Sequence, residues 1–114
     1  MADDTAYVDV ADGAKRVMNN TKLYIKLLLK FRDGTNLSDL EAALTEGDLK
    51  KAQDAAHTIK GVSANLSLPE LFKQCLELET QIKAGKVDPA QMETVTAVFN
   101  ATIQEINRIV SENV

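Results

Sequence analysis

The sequence predicts an all-α protein: an antiparallel up-down four-helix bundle with a short additional helix at the N-terminus. Apolar residues recur at intervals of three and four along most of the chain, which is the spacing of one helix face. No stretch shows the strict alternation of a half-buried strand. Hydrophobic residues make up 45% of the chain and aromatic residues only 4%, a balance that suits helix packing better than a β-sandwich.

The first three helices have recognisable start and stop residues. Residues 1–8 are expected to be a loose lead-in. Asp9 is expected to cap a short helix that ends near Met18. A stronger helix is predicted over residues 21–32, and Asn36 is expected to cap the third helix.

The last three helices are separated by glycines and opened by capping residues. Gly47 ends the third helix, and Asp48 caps a fourth that runs to about residue 65. Ser67 and Glu70 form a capping box for the fifth helix. Asp88 followed by proline opens the last. Short loops between consecutive helices imply antiparallel neighbours, and hence a bundle.

Composition excludes several classes of function. With 114 residues, the chain is expected to be one domain spanning residues 1–114. The net charge of −4 argues against sequence-independent nucleic-acid binding, which requires many basic residues. One cysteine allows no internal disulfide and favours a reducing compartment. There is no apolar run near the roughly 20 residues of a membrane span, and the acidic N-terminus lacks the order of a signal peptide. We therefore expect a cytoplasmic protein, by default a monomer.

The fourth helix contains the only histidine of the sequence, His57. Winding this segment at about 100° per residue gathers its apolar side chains into one arc, and His57 points roughly 160° from the middle of that arc. Gly61 and Ala64 lie nearly in line with His57, and Lys60 lies one turn on. A glycine inside a helix costs about 1 kcal/mol relative to alanine and is kept where another body must approach the backbone. The pattern indicates an exposed imidazole beside a bare strip, suited to a partner that handles phosphate.

These residues carry a family resemblance. The run Ala-His-Thr-Ile-Lys-Gly at 56–61, followed by Ser63, Asn65 and Leu66, resembles the signature of histidine-containing phosphotransfer (HPt) domains of two-component phosphorelays. The surroundings are similar as well: Gly-Asp at 47–48, Cys-x-x-Leu-Glu at 75–79, and a leading helix over 23–31. Two positions depart from the family pattern, because Val62 stands where Ser or Ala is usual and Ser67 where Gly is common.

The resemblance implies a phosphorelay intermediate. His57 would accept a phosphoryl group from the aspartate of one receiver domain and pass it to another. Lys60 would stabilise the phosphoryl group, and Glu79 would orient the imidazole by bonding the nitrogen that does not carry phosphate. The docking surface would include Gln53, Gly61 and Ala64. The partners would be response-regulator receiver domains, or a hybrid histidine kinase. Mg²⁺ is expected in the receiver, with no cofactor on this chain.

The residues alone leave alternatives open. His57 could be an idle surface histidine, Lys60 a solvated lysine and Glu79 an ordinary solvent-facing glutamate. A metal site is not predicted, because one histidine without a Cys or His partner gives too few ligands. No glycine-rich phosphate loop occurs, so no ATP-dependent kinase activity is predicted. Two other functions remain: a non-catalytic helical adaptor, and the phosphoacceptor module of a histidine kinase.

Overall fold

The computed structural model describes residues 7–113. Over that range the chain forms six α-helices and no strand, so the predicted all-helical fold is confirmed. The helices are α1 (Val10–Arg16), α2 (Thr21–Arg32), α3 (Asn36–Glu46), α4 (Leu49–Leu66), α5 (Pro69–Lys83) and α6 (Pro89–Glu112). Within the described residues, no helix has the length and apolar character needed to cross a membrane.

Most helix starts follow the expected capping chemistry. The side chains of Asp9, Asp48 and Asp88 each accept a hydrogen bond from a backbone N–H in the first turn of the following helix, which satisfies a donor that the helix itself leaves unpaired. The predicted cap at Asn36 is wrong, because Thr35 occupies that position and makes no side-chain capping bond.

The predicted capping box at Ser67 is also wrong. Ser67 has a φ of 59° and ends α4 in the left-handed conformation, while Leu68 precedes α5 without a side-chain capping bond. The Ser67 hydroxyl instead bonds Asp12 and Arg16 of α1. The residue types of a capping box are present, but Ser67 lacks the extended backbone conformation of an N-cap residue.

Neighbouring helices pack in chain order: α3 on α4, α4 on α5, and α5 on α6, with α2 against both α6 and α4. Contacts between α5 and α6 show their direction. The backbone N–H of Asp88 donates to the Gln81 side chain, and Gln91 further along donates to Gln74 further back. The two helices are therefore antiparallel.

Helix α4 buries one face against its neighbours. Its buried side chains are Ala52, Ala56, Ile59, Ser63 and Leu66. All five belong to the apolar arc predicted from the sequence, and they turn the opposite face of α4 outward. The predicted arc also contained Ala55 and Val62, which are half-buried, and Leu49 in the first turn, which is 42% exposed. The packing of α4 thus fixes which side of the helix solvent reaches.

The N-terminal segment is fastened to the end of α4. The backbone N–H of Asp9 donates to the carbonyl of Ser67 at 2.9 Å, and the Ser67 hydroxyl donates to Asp12 and accepts from Arg16. Val8 is only 2% exposed. The expectation of a loose lead-in is therefore wrong for residue 8, which packs into the core, and residues 1–6 lie outside the described range.

Tyr24 of α2 joins the same region to the core. Its side chain is fully buried, and its hydroxyl donates to the carbonyl of Leu66 at 2.6 Å. Gly13 of α1 lies directly against the ring: a Cβ at this position would lie 2.3 Å from the Tyr24 ring carbons. Glycine is needed here because a neighbouring side chain fills the space.

Candidate functional site

His57 lies on the outward face of α4, and its side chain is 68% exposed. The neighbours on the opposite face, Ala56 and Ile59, are fully buried. The prediction that His57 faces solvent is confirmed. Most of the side chain is therefore open to solvent.

The helix surface beside His57 is bare at one position. Gly61 is exposed, and a Cβ added there would meet no atom within 4 Å. Its backbone is in the ordinary helical region, since the positive-φ glycines among the described residues are Gly47 and Gly85. Glycine at residue 61 is therefore required neither by the local backbone nor by packing. Ala64 and Gln53, the other predicted docking residues, are half-buried on the same helix.

Glu79 of α5 reaches across to the histidine. Its Oε2 lies 3.2 Å from Nδ1 of His57, and its Oε1 lies 2.6 Å from Nζ of Lys60. The Glu79 side chain is only 4% exposed, so the solvent-facing alternative is wrong. The close packing of α5 on α4 covers the carboxylate and leaves the imidazole outside.

The charge of Glu79 follows from its surroundings. Burial raises the pKa of the carboxyl group, but the hydrogen bond and charge of Lys60 oppose this. The charge of Lys83 and the hydrogen bond to His57 lower it further, and the resulting pKa lies below the ordinary value. Glu79 is therefore a carboxylate at neutral pH, held buried by cationic partners.

The ionised carboxylate fixes the tautomer of His57. A carboxylate can only accept hydrogen bonds, so the proton of the contact sits on Nδ1 of the imidazole. In the neutral ring, Nε2 then carries the lone pair. Because Glu79 engages Nδ1, the nucleophilic nitrogen is the one left for an incoming group.

Lys60 is tied to the same carboxylate. Its side chain is 20% exposed and its ammonium donates to Glu79, so the alternative of a freely solvated lysine is wrong. An ammonium has three N–H donors, and this contact uses one. The structure brings together three residues that the sequence proposed separately: His57, Lys60 and Glu79.

Sequence reasoning missed Lys83. Its Nζ lies 3.8 Å from Oε2 of Glu79, and its side chain is 57% exposed. The sequence signal was its spacing of four residues from Glu79, since residues four apart on a helix are neighbours. That signal was weak without knowing that Glu79 is buried at the point where α4 and α5 pack.

Other reactive side chains do not extend the site. Cys75 is fully buried on the core face of α5, and burial together with the charge of Glu79 raises its pKa to about 12, so it packs in the core as a neutral thiol. No group of three or more His, Cys, Asp or Glu side chains in residues 7–113 is arranged to hold a metal ion.

A cavity of about 790 Å³ lies between α1, α2 and α4, lined in part by Leu27, Phe31 and Val62, and His57 is not among its lining residues. The imidazole instead stands on an open helix face. Enzyme pockets surround their reacting atoms, whereas the His57 side chain is 68% exposed.

The described residues thus form a helical bundle that presents one carboxylate-bound imidazole on an open helix face. The family model described as "Hpt domain" matches residues 33–110, and the chain belongs to this family. Membership implies phosphotransfer in two-component relays.

The fold has a close counterpart among solved structures. The HPT domain of the Hpt sensor hybrid histidine kinase from Shewanella superposes with a TM-score of 0.83 over 96% of this chain and 97% of that one, at 14% sequence identity. This similarity extends the shared fold to helices before residue 33. A search of curated proteins gives no significant match.

Proposed function

We propose that the protein is a phosphorelay intermediate in which His57 carries the phosphoryl group. The observation that carries this proposal is the contact between Glu79 and Nδ1 of His57, because it fixes the tautomer with Nε2 reactive. Nε2 would attack the phosphorus of an aspartyl phosphate in a receiver domain. The N–P bond forms as the P–O bond breaks, and the aspartate leaves as a carboxylate. The reverse reaction delivers the group to a second receiver.

Lys60 has donors suited to the transferred group. Its ammonium bonds the carboxylate that also contacts the imidazole, and its remaining N–H groups can donate to phosphoryl oxygens. Hydrogen bonds between charged groups are about twice as strong as neutral ones. Lys60 would therefore offset part of the negative charge that arrives with the phosphoryl group.

The partner would supply the remaining catalytic groups. We assign Mg²⁺ to the receiver domain, and no cofactor to this chain. The receiver, free or as part of a hybrid histidine kinase, would dock over His57, with Gly61, Ala64 and Gln53 beneath it. The missing side chain at Gly61 lets the partner's loops approach the helix backbone. We further propose a cytoplasmic monomer.

The direct test is transfer from a phosphorylated receiver. Because His57 is the only histidine, an acid-labile, alkali-stable label on this chain identifies it. We expect His57→Gln to abolish the label without unfolding the protein, since the side chain is mostly exposed. Thr58→Ala, an exposed change next in the chain, is the matched control and should still accept the label. Equal labelling of His57→Gln and wild type would refute the proposal. Receiver binding without any label would instead favour the adaptor alternative.

A further inference from the structure

The Glu79 carboxylate is shared by three nitrogen groups on two helices. His57 Nδ1 and Lys83 Nζ both approach Oε2, at 3.2 and 3.8 Å, while Lys60 Nζ bonds Oε1 at 2.6 Å. A buried carboxylate needs a close counter-ion and further hydrogen bonds to its remaining lone pairs. Lys60 and His57 provide both at shorter distances than Lys83, so in the resting site Lys83 is a second, weaker counter-ion.

The need for a second cation arises when His57 carries a phosphoryl group. That group brings negative charge next to Lys60, whose ammonium can then donate either to the phosphoryl oxygens or to the Glu79 carboxylate. Any turn of its ammonium toward the phosphoryl oxygens weakens its bond to Glu79. A buried carboxylate that loses its partner takes up a proton or moves. Either change would break the contact that holds Nδ1 of His57.

We infer that Lys83 is a positioning residue, which keeps the Glu79 carboxylate bonded to Nδ1 of His57 while Lys60 donates to the phosphoryl group. This inference rests on the proposed function. Lys83 suits this role because it belongs to the same helix as Glu79, one turn further on, and approaches the oxygen that faces the imidazole. It acts through Glu79 and touches neither the phosphoryl group nor Nε2.

The size of the effect follows from the exposure of Lys83. At 57% exposure and 3.8 Å, the pair resembles a surface ion pair more than a buried one. Such pairs are worth up to about 1 kcal/mol, which corresponds to a rate effect of about twofold to fivefold. The contribution of Lys60, which is shorter and more buried, should be larger.

The kinetic test measures phosphoryl transfer from a receiver to His57. Lys83→Gln should slow transfer by about twofold to fivefold, and Lys83→Arg, which keeps the charge, should restore most of the rate. The matched control is Lys73→Gln, the same change at an exposed position of α5, and it should leave the rate unchanged. An unchanged rate in Lys83→Gln, or an equal loss in Lys73→Gln, would overturn the inference.

A second test needs no phosphoryl donor. Lys60→Gln removes the first counter-ion and reproduces the situation in which Lys60 has left Glu79. Nitrogen NMR of the imidazole should show that His57 keeps its proton on Nδ1 in Lys60→Gln but becomes a tautomer mixture in the Lys60→Gln, Lys83→Gln double variant. The Glu79 carboxyl should titrate at a higher pH in the double variant than in either single one. A double variant identical to Lys60→Gln would reject the role of Lys83.

The two tests separate the inference from the proposed function. If wild-type protein accepts no phosphoryl group, the proposed function fails, whereas the NMR comparison still decides whether Lys83 supports the contact between Glu79 and His57. If transfer occurs but the NMR spectra of Lys60→Gln and the double variant coincide, the proposed function stands and the role of Lys83 is rejected.

Discussion

Gly61 offers a sharp test, because the structure predicts opposite effects on stability and on function. The residue sits inside α4 with an ordinary helical backbone, and an added Cβ would meet nothing within 4 Å. Glycine in such a position costs about 0.5–1 kcal/mol relative to alanine. Gly61→Ala should therefore raise the free energy of unfolding by that amount, and the melting temperature by about 4 °C for a chain of this size.

The functional effect should grow with the size of the new side chain. Alanine adds one methyl group to the bare strip and should reduce transfer only slightly. Gly61→Gln keeps good helix propensity but projects a long side chain into the path of the docking partner. We expect it to lower the transfer rate tenfold or more, since displacing reacting atoms by about 1 Å can cost about 10²-fold.

Urea unfolding followed by circular dichroism measures the free energy of unfolding. Phosphoryl transfer from a receiver to His57 measures the functional effect. Ala97→Gln provides the control, because Ala97 is exposed on α6 and gains the same side chain away from the His57 face. The reasoning fails if Gly61→Ala is destabilising, or if Gly61→Gln transfers as fast as the Ala97 variant.

Two further predictions concern stability. The pKa of Glu79 is lower in the folded protein than its ordinary value, so its ionised form stabilises the fold above the ordinary glutamate pKa of about 4.3. Glu79→Gln should lower the free energy of unfolding by about 1–3 kcal/mol at pH 7. The difference in stability between wild type and variant should shrink as the pH falls through about 4.3 toward the pKa of Glu79 in the folded protein. A stability difference that does not change with pH in chemical denaturation would contradict this. Gly13→Ala should destabilise by about 1–3 kcal/mol, because its Cβ would lie 2.3 Å from the Tyr24 ring. Thermal melting should show this loss, together with its relief in Gly13→Ala, Tyr24→Leu; equal losses with and without the ring would exclude the clash.

The sequence was sufficient where the physics is local. Periodicity assigned the buried face of α4 and therefore the exposure of His57, since both depend only on the turn of one helix. Family resemblance singled out Lys60 and Glu79, which the structure joins to each other and, through Glu79, to His57, while their roles in transfer stay predictions. Aspartates before three helices were correct caps because capping involves residues only a few positions apart.

What the sequence could not supply depends on how helices meet. Whether Glu79 faces water or the imidazole is decided by the approach of α5 to α4, which no intrahelical spacing encodes. Lys83 was overlooked for the same reason. Ser67 has the residue type of a cap, but a backbone contact with Asp9 and side-chain contacts with α1 accompany a left-handed turn there. Val8 was misjudged because an apolar residue near a terminus shows no periodicity.

The anchoring of the first two helices sets a practical limit on how the domain can be trimmed or fused. The matched family segment begins at residue 33, yet Tyr24, Leu28 and Phe31 are core side chains that precede it. The Phe31 ring lies 5.3 Å from that of Phe99 in α6. A chimera that begins at residue 33 would carry His57 on a bundle that lacks α1 and α2. A segment transferred into a fusion protein should therefore include α1 and α2 as well as the matched residues 33–110.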